Sequence, residues 1–93
     1  MCTMITQQIS VEGSGKAREG WFAVQQANIS YDHPFHAPRE HTLNIDFVDE
    51  QQGLGGRVAV ELSEESARSL IATIQAVLDQ AEARGQLESQ MGK

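Results

Sequence analysis

All three histidines of the chain, His33, His36 and His41, fall within nine residues and are flanked by Asp32 and Glu40. Imidazole is the commonest nitrogen ligand for zinc, copper, iron and nickel, and carboxylates bind several of the same ions through oxygen. A short span of this composition can therefore converge on one metal ion. The spacing H-x2-H-x4-H matches no named zinc motif, so the chemistry depends on how the fold gathers the rings. Zinc is the first expectation. A thiolate from Cys2, the one cysteine, would bring copper(I) or iron into consideration. The same imidazoles could instead form a metal-free acid–base or anion site. Asp32-His33-Pro34 is also ordinary turn chemistry, the bland alternative to both.

The elements around this cluster are strands. Thr3 to Val11 alternates, with Ile5, Ile9 and Val11 on one parity, and Gly13-Ser14-Gly15-Lys16 opens a polar loop ending near Gly20. Trp21 to Tyr31 forms a long second strand. Asp32 to Glu40 holds both prolines, Pro34 and Pro38, and serves as the connection. His41 to Val48 alternates with Leu43, Ile45 and Phe47 inward and Thr42, Asn44 and Asp46 outward. After a glycine-rich link, Arg57 to Leu62 sets Val58, Val60 and Leu62 inward.

The helix carries the strongest pattern. Ser63 is a good N-cap, Glu64 and Glu65 complement the dipole, and Gly85 suits the C′ position. Ala67, Leu70, Ile71, Ile74, Val77, Leu78 and Ala81 make one apolar stripe. Gln86 to Lys93 lacks any such pattern and is expected to fray. The expected architecture is α+β: a four-stranded antiparallel meander followed by one long amphipathic helix packed on one sheet face. It forms a single domain, with the ordered core ending near Gly85.

Register then bears on the chemistry. Pairing Ile29 with Ile45 also pairs Ala27 with Phe47 and Tyr31 with Leu43, and carries His33 opposite His41. Directly opposed side chains hold their Cβ atoms about 4.5–5.5 Å apart, close enough to share an ion. His36 on the connection could supply a third ligand. The meander order would bring Cys2 near Tyr31 and Asp32, and the helix N-terminus to the same end. The candidate shell is thus His33, His36 and His41, completed by Cys2, Asp32 or Glu40.

Composition narrows the classes. The 93-residue chain has a net charge of −6 with scattered Lys and Arg, which argues against a nucleic-acid binder. No apolar run is long enough to span a bilayer, no secretory signal is visible, and a single cysteine forms no internal disulfide, so a cytoplasmic location is expected. Gly13-Ser14-Gly15-Lys16 fails as a phosphate loop because Ser10 stands where its first glycine belongs and Ala17 follows the lysine. Gly53-Leu54-Gly55-Gly56 lacks the third glycine of a dinucleotide fingerprint. One helix covers one sheet face, and Met4, Phe22, Val24 and Val48 on the other suggest a homodimer, or a non-catalytic interaction module with a protein partner.

The chain resembles an uncharacterised family of small bacterial proteins. The resemblance rests on Met1-Cys2-Thr3, Gly13-Ser14-Gly15-Lys16 with Gly20-Trp21-Phe22, Asp32-His33-Pro34 through His36-Ala37-Pro38, and Glu40-His41-Thr42-Leu43-Asn44-Ile45-Asp46-Phe47. Arg57 to Leu62 and the helix that follows are similar too. It implies a bacterial origin and no particular activity.

Overall fold

The computed structural model describes residues 5–49 and 56–88. Four strands run in the order β1 (Ile5–Ala17), β2 (Gly20–Asp32), β3 (Thr42–Val48) and β4 (Arg57–Leu62), each hydrogen-bonded antiparallel to the next. The expected meander is thus the observed topology. One helix, α1 (Glu64–Ala83), follows. The chain divides into two compact units, the sheet through Ser63 and the helical segment from Glu64.

The expected register holds across the sheet. Ile29 faces Ile45, Ala27 faces Phe47 and Tyr31 faces Leu43, and β4 continues the same face with Val58, Val60 and Leu62. Side chains alternate with period two, so this face is apolar while Asn28, Ser30, Asn44, Asp46 and Glu61 occupy the other.

The first hairpin departs from expectation. Gly13 to Lys16 is not a loop but the second half of β1, and the chain reverses in a tight turn at Arg18-Glu19. A bulge between Ser10 and Gly13 explains why the alternation fades there: it places two residues opposite one and resets the parity. Beyond it Gly13 and Gly15 lie opposite Val24 and Phe22. Those two side chains, with Ala27, are the buried apolar residues among the described residues, at 7, 5 and 2% exposure. Phe22 and Val24 are therefore covered within the chain, and the part of the homodimer argument that left them open no longer applies. Gly15 is required by close approach, since a Cβ there would sit 3.0 Å from Val24 Cγ2 and 3.3 Å from the Phe22 ring.

The helical segment is held by its own ends. Glu64 and Arg68 pair at 2.9 Å across one turn. At the C-terminus Gln86 N–H donates to Ala81 O at 2.9 Å and Gly85 N–H to Glu82 O at 3.0 Å. With Gly85 at φ 68°, this is the Schellman closure expected of a glycine at C′.

Two glycine substitutions separate packing from backbone. Gly15→Ala should lower stability by about 1–3 kcal/mol through overpacking. Gly13→Ala should be neutral or slightly stabilising, because nothing lies within 4 Å of its Cβ position. Urea unfolding midpoints of the two variants check this, and equal losses would refute the packing account.

Candidate functional site

The chemistry-bearing residues sit at the end of the sheet where β2 and β3 are joined. The ladder ends at Asp32 opposite Thr42, and one step further the rings of His33 and His41 stack, with centroids 4.7 Å apart and planes 27° from parallel. Tyr31 also stacks with His41, at 5.8 Å and 15°. The three rings form a short ladder continuing the apolar face of the sheet.

Backbone contacts fix one of these rings. His33 Nδ1 lies 2.8 Å from the backbone oxygen of Glu40. A carbonyl can only accept, so Nδ1 carries the hydrogen and donates, and Nε2 is the acceptor nitrogen of the neutral ring. Metal-bound histidines are commonly oriented in this way, with the non-ligating nitrogen donating to a carbonyl. Asp32 turns its carboxylate onto the neighbouring backbone, accepting the His33 N–H at 2.7 Å.

The connection itself folds toward the polar face. Glu61 Oε2 accepts the Phe35 N–H at 2.6 Å, and Oε1 accepts the N–H groups of His36 at 3.1 Å and Ala37 at 2.9 Å. A segment with no ladder partners must satisfy its N–H groups somewhere, and one carboxylate satisfies three in succession. These donors stabilise the ionised form, Ala37 most and then Phe35, with a smaller contribution from the His36 N–H and ring charge. Desolvation opposes them by more than either His36 contribution but by less than Ala37 or Phe35, and the balance holds the Glu61 carboxyl below the usual glutamate range.

This clamp separates the histidines. His36 lines an open depression of about 590 Å³ with Phe35, Ala37, Arg57, Ala59 and Glu61, whose β4 members belong to the polar face. His33 and His41 continue the apolar face. The structure thus brings together His33 and His41 of the expected ligands, places the Glu40 backbone against them, and sets His36 beside Glu61 instead. Cys2 lies outside the described residues. Among the described residues, no group of three or more His, Cys, Asp or Glu side chains is arranged to hold a metal ion.

Two residues of this end were not expected to matter. Glu61 read as an outward strand residue. Thr42, also expected outward, is fully buried and donates from Oγ1 to Asn44 Oδ1 at 2.6 Å. Arg57, at the far end of the same depression, pairs with Asp46 at 2.8 Å. Among the described residues no helix is long and apolar enough to cross a membrane.

The chain belongs to the DUF6295 family, a family of unknown function whose model matches residues 1–87. No curated protein and no solved structure matches it.

Because the Glu61 carboxyl is depressed, its hold on the connection is complete above the ordinary glutamate range and is lost as pH falls through the depressed value. The amide resonances of Phe35, His36 and Ala37 should therefore move together in an NMR titration, with a midpoint below that of an unperturbed glutamate. In Glu61→Gln the joint transition should vanish and these amides should exchange faster at neutral pH. A midpoint at or above the ordinary value would refute the clamp.

Proposed function

We propose, for this member of a family that assigns no activity, that the chain is a small cytoplasmic bacterial protein that binds a transition-metal ion through His33 Nε2 and a ring nitrogen of His41. Zinc is the first candidate, with iron and copper next. The observation that carries the reading is the opposed pair itself. Two imidazoles that each bind an ion at about 2.0–2.1 Å have ring centres about 5 Å apart, and these stand at 4.7 Å, but stacked. A ring nitrogen's lone pair lies in its ring plane, so binding requires one ring to turn out of the stack. The His33–Glu40 contact supports the reading, because with Nδ1 donating to that carbonyl, Nε2 is the nitrogen that would bind the ion. His41 is the ring that turns, bringing a nitrogen to face His33 Nε2.

Two imidazoles make an open site. Water, Cys2 or a bound small molecule would fill the remaining positions, which is the arrangement of metal sites that exchange ligands rather than only brace a fold. His36 takes no part in this reading, since its backbone is tied to Glu61 on the polar face.

The test is calorimetric titration of untagged protein with zinc, iron(II) or copper(I). Saturable binding is expected, abolished in His33→Ala and His41→Ala and retained in His36→Ala. The metal should also raise the thermal midpoint of the wild type in proportion to occupancy. Absence of saturable binding by all three ions, or binding that survives loss of both His33 and His41, would sink the proposal.

A further inference from the structure

The two outer strands of the sheet are built differently. β4 is a short edge of six residues and carries Arg57 and Glu61, the first paired with Asp46 and the second clamping the connection. Short, charged and occupied edges are how sheets discourage pairing with other chains. β1 has none of this protection in its first half. Ile5 to Ser10, sequence Ile-Thr-Gln-Gln-Ile-Ser, carries no charge and no proline, and every residue in it is exposed. Ile5 and Ile9 are 62 and 51% exposed. Beyond the bulge the strand changes character, and Val11 and Gly13 to Lys16 line a depression with Phe47 and Val58 from across the sheet. The unprotected edge is therefore confined to the segment before the bulge.

We infer that this segment pairs with the same segment of a second copy, antiparallel about a two-fold axis through Gln7, joining two sheets edge to edge. The sequence is self-complementary in that register. A continuous sheet keeps its faces, so odd positions must meet odd positions across the seam. Centring on Gln7 sets Ile5 opposite the partner's Ile9, and Ile9 opposite the partner's Ile5, on the face of Ala27, Ile29 and Tyr31. Thr6 meets the partner's Gln8 on the polar face, and the two Gln7 side chains meet on the axis. Two aliphatic pairs and three polar pairs result, with no charge opposed to a like charge. Each copy's edge N–H and C=O groups, which have no backbone partner across this edge among the described residues, find partners, and the bulge ends the seam. An unrelated strand would have to reproduce this pattern, whereas a second copy supplies it by symmetry.

Sedimentation of the full chain across a concentration series tests this, together with Gln7→Lys, which puts two like charges on the axis and a lysine on the edge. Gln7 is exposed, and circular dichroism of the variant checks that it keeps its fold. A reversible dimer is expected for the wild type, with association weakened about tenfold or more in the variant. In a Cys2→Ser background, Gln7→Cys should form an intermolecular disulfide on mild oxidation, since opposed residues fall within disulfide reach. Ser14→Cys, beyond the bulge, should not. A wild type that stays monomeric, a dimer indifferent to Gln7→Lys, or equal cross-linking at both positions would overturn the inference.

Discussion

The pairing of Ile29 with Ile45 is the constraint from which the rest of the sheet unit follows. Side chains on a strand repeat every two residues, so slipping β2 against β3 by one position would turn Leu43, Ile45 and Phe47 onto the polar face. The same slip would move His33 away from His41. The aliphatic residues in the middle of the strands therefore set the distance between two imidazoles at their end. The histidines contribute little to this choice; they are exposed and inherit their positions from the apolar pairs behind them.

A second, smaller constraint divides the histidines. The connection between β2 and β3 contains two prolines and cannot extend the ladder, so its N–H groups need acceptors elsewhere. Glu61 provides one carboxylate for three of them, drawing the middle of the connection over the polar face. His33 and His41 stay at its two ends. Glu61 thus decides which histidines can act together, although it touches neither ring of the stacked pair. Because the same donors hold its carboxyl below the usual glutamate range, the clamp persists until the pH falls below that range.

What was legible in the sequence follows from what carries a period. β3, β4 and the helix each repeat apolar residues at two or near 3.6, and their positions, register and closure by Gly85 could be read before the structure. The second half of β1 could not, because the bulge breaks the period and glycines add no hydropathy of their own. Gly15 is in the strand because Phe22 and Val24 lie over it, and that reason is written in another strand. Glu61 was hidden for a different cause. Its partners are backbone N–H groups some 24 to 26 residues earlier, and a backbone donor has no letter in the sequence. A proline-containing connection has more N–H donors than a ladder can satisfy, but nothing in the sequence says which residue accepts them.

The histidine pair and the β1 edge lie close enough to raise the question of whether one depends on the other. Ile5 pairs with Tyr31, so the start of the bare edge segment is beside the ring ladder. Yet a two-fold through Gln7 reverses the second copy, bringing its Ile9 to Ile5 and carrying its own Tyr31, His33 and His41 to the opposite end of the seam. Neither copy then lends a ligand to the other's ring pair. Each chain's proposed metal site stands or falls by itself, and the proposed edge pairing does not depend on whether the imidazoles are occupied. The two readings are therefore separable: a monomer that binds metal and a metal-free dimer are both coherent outcomes, and each rejects one proposal while leaving the other intact.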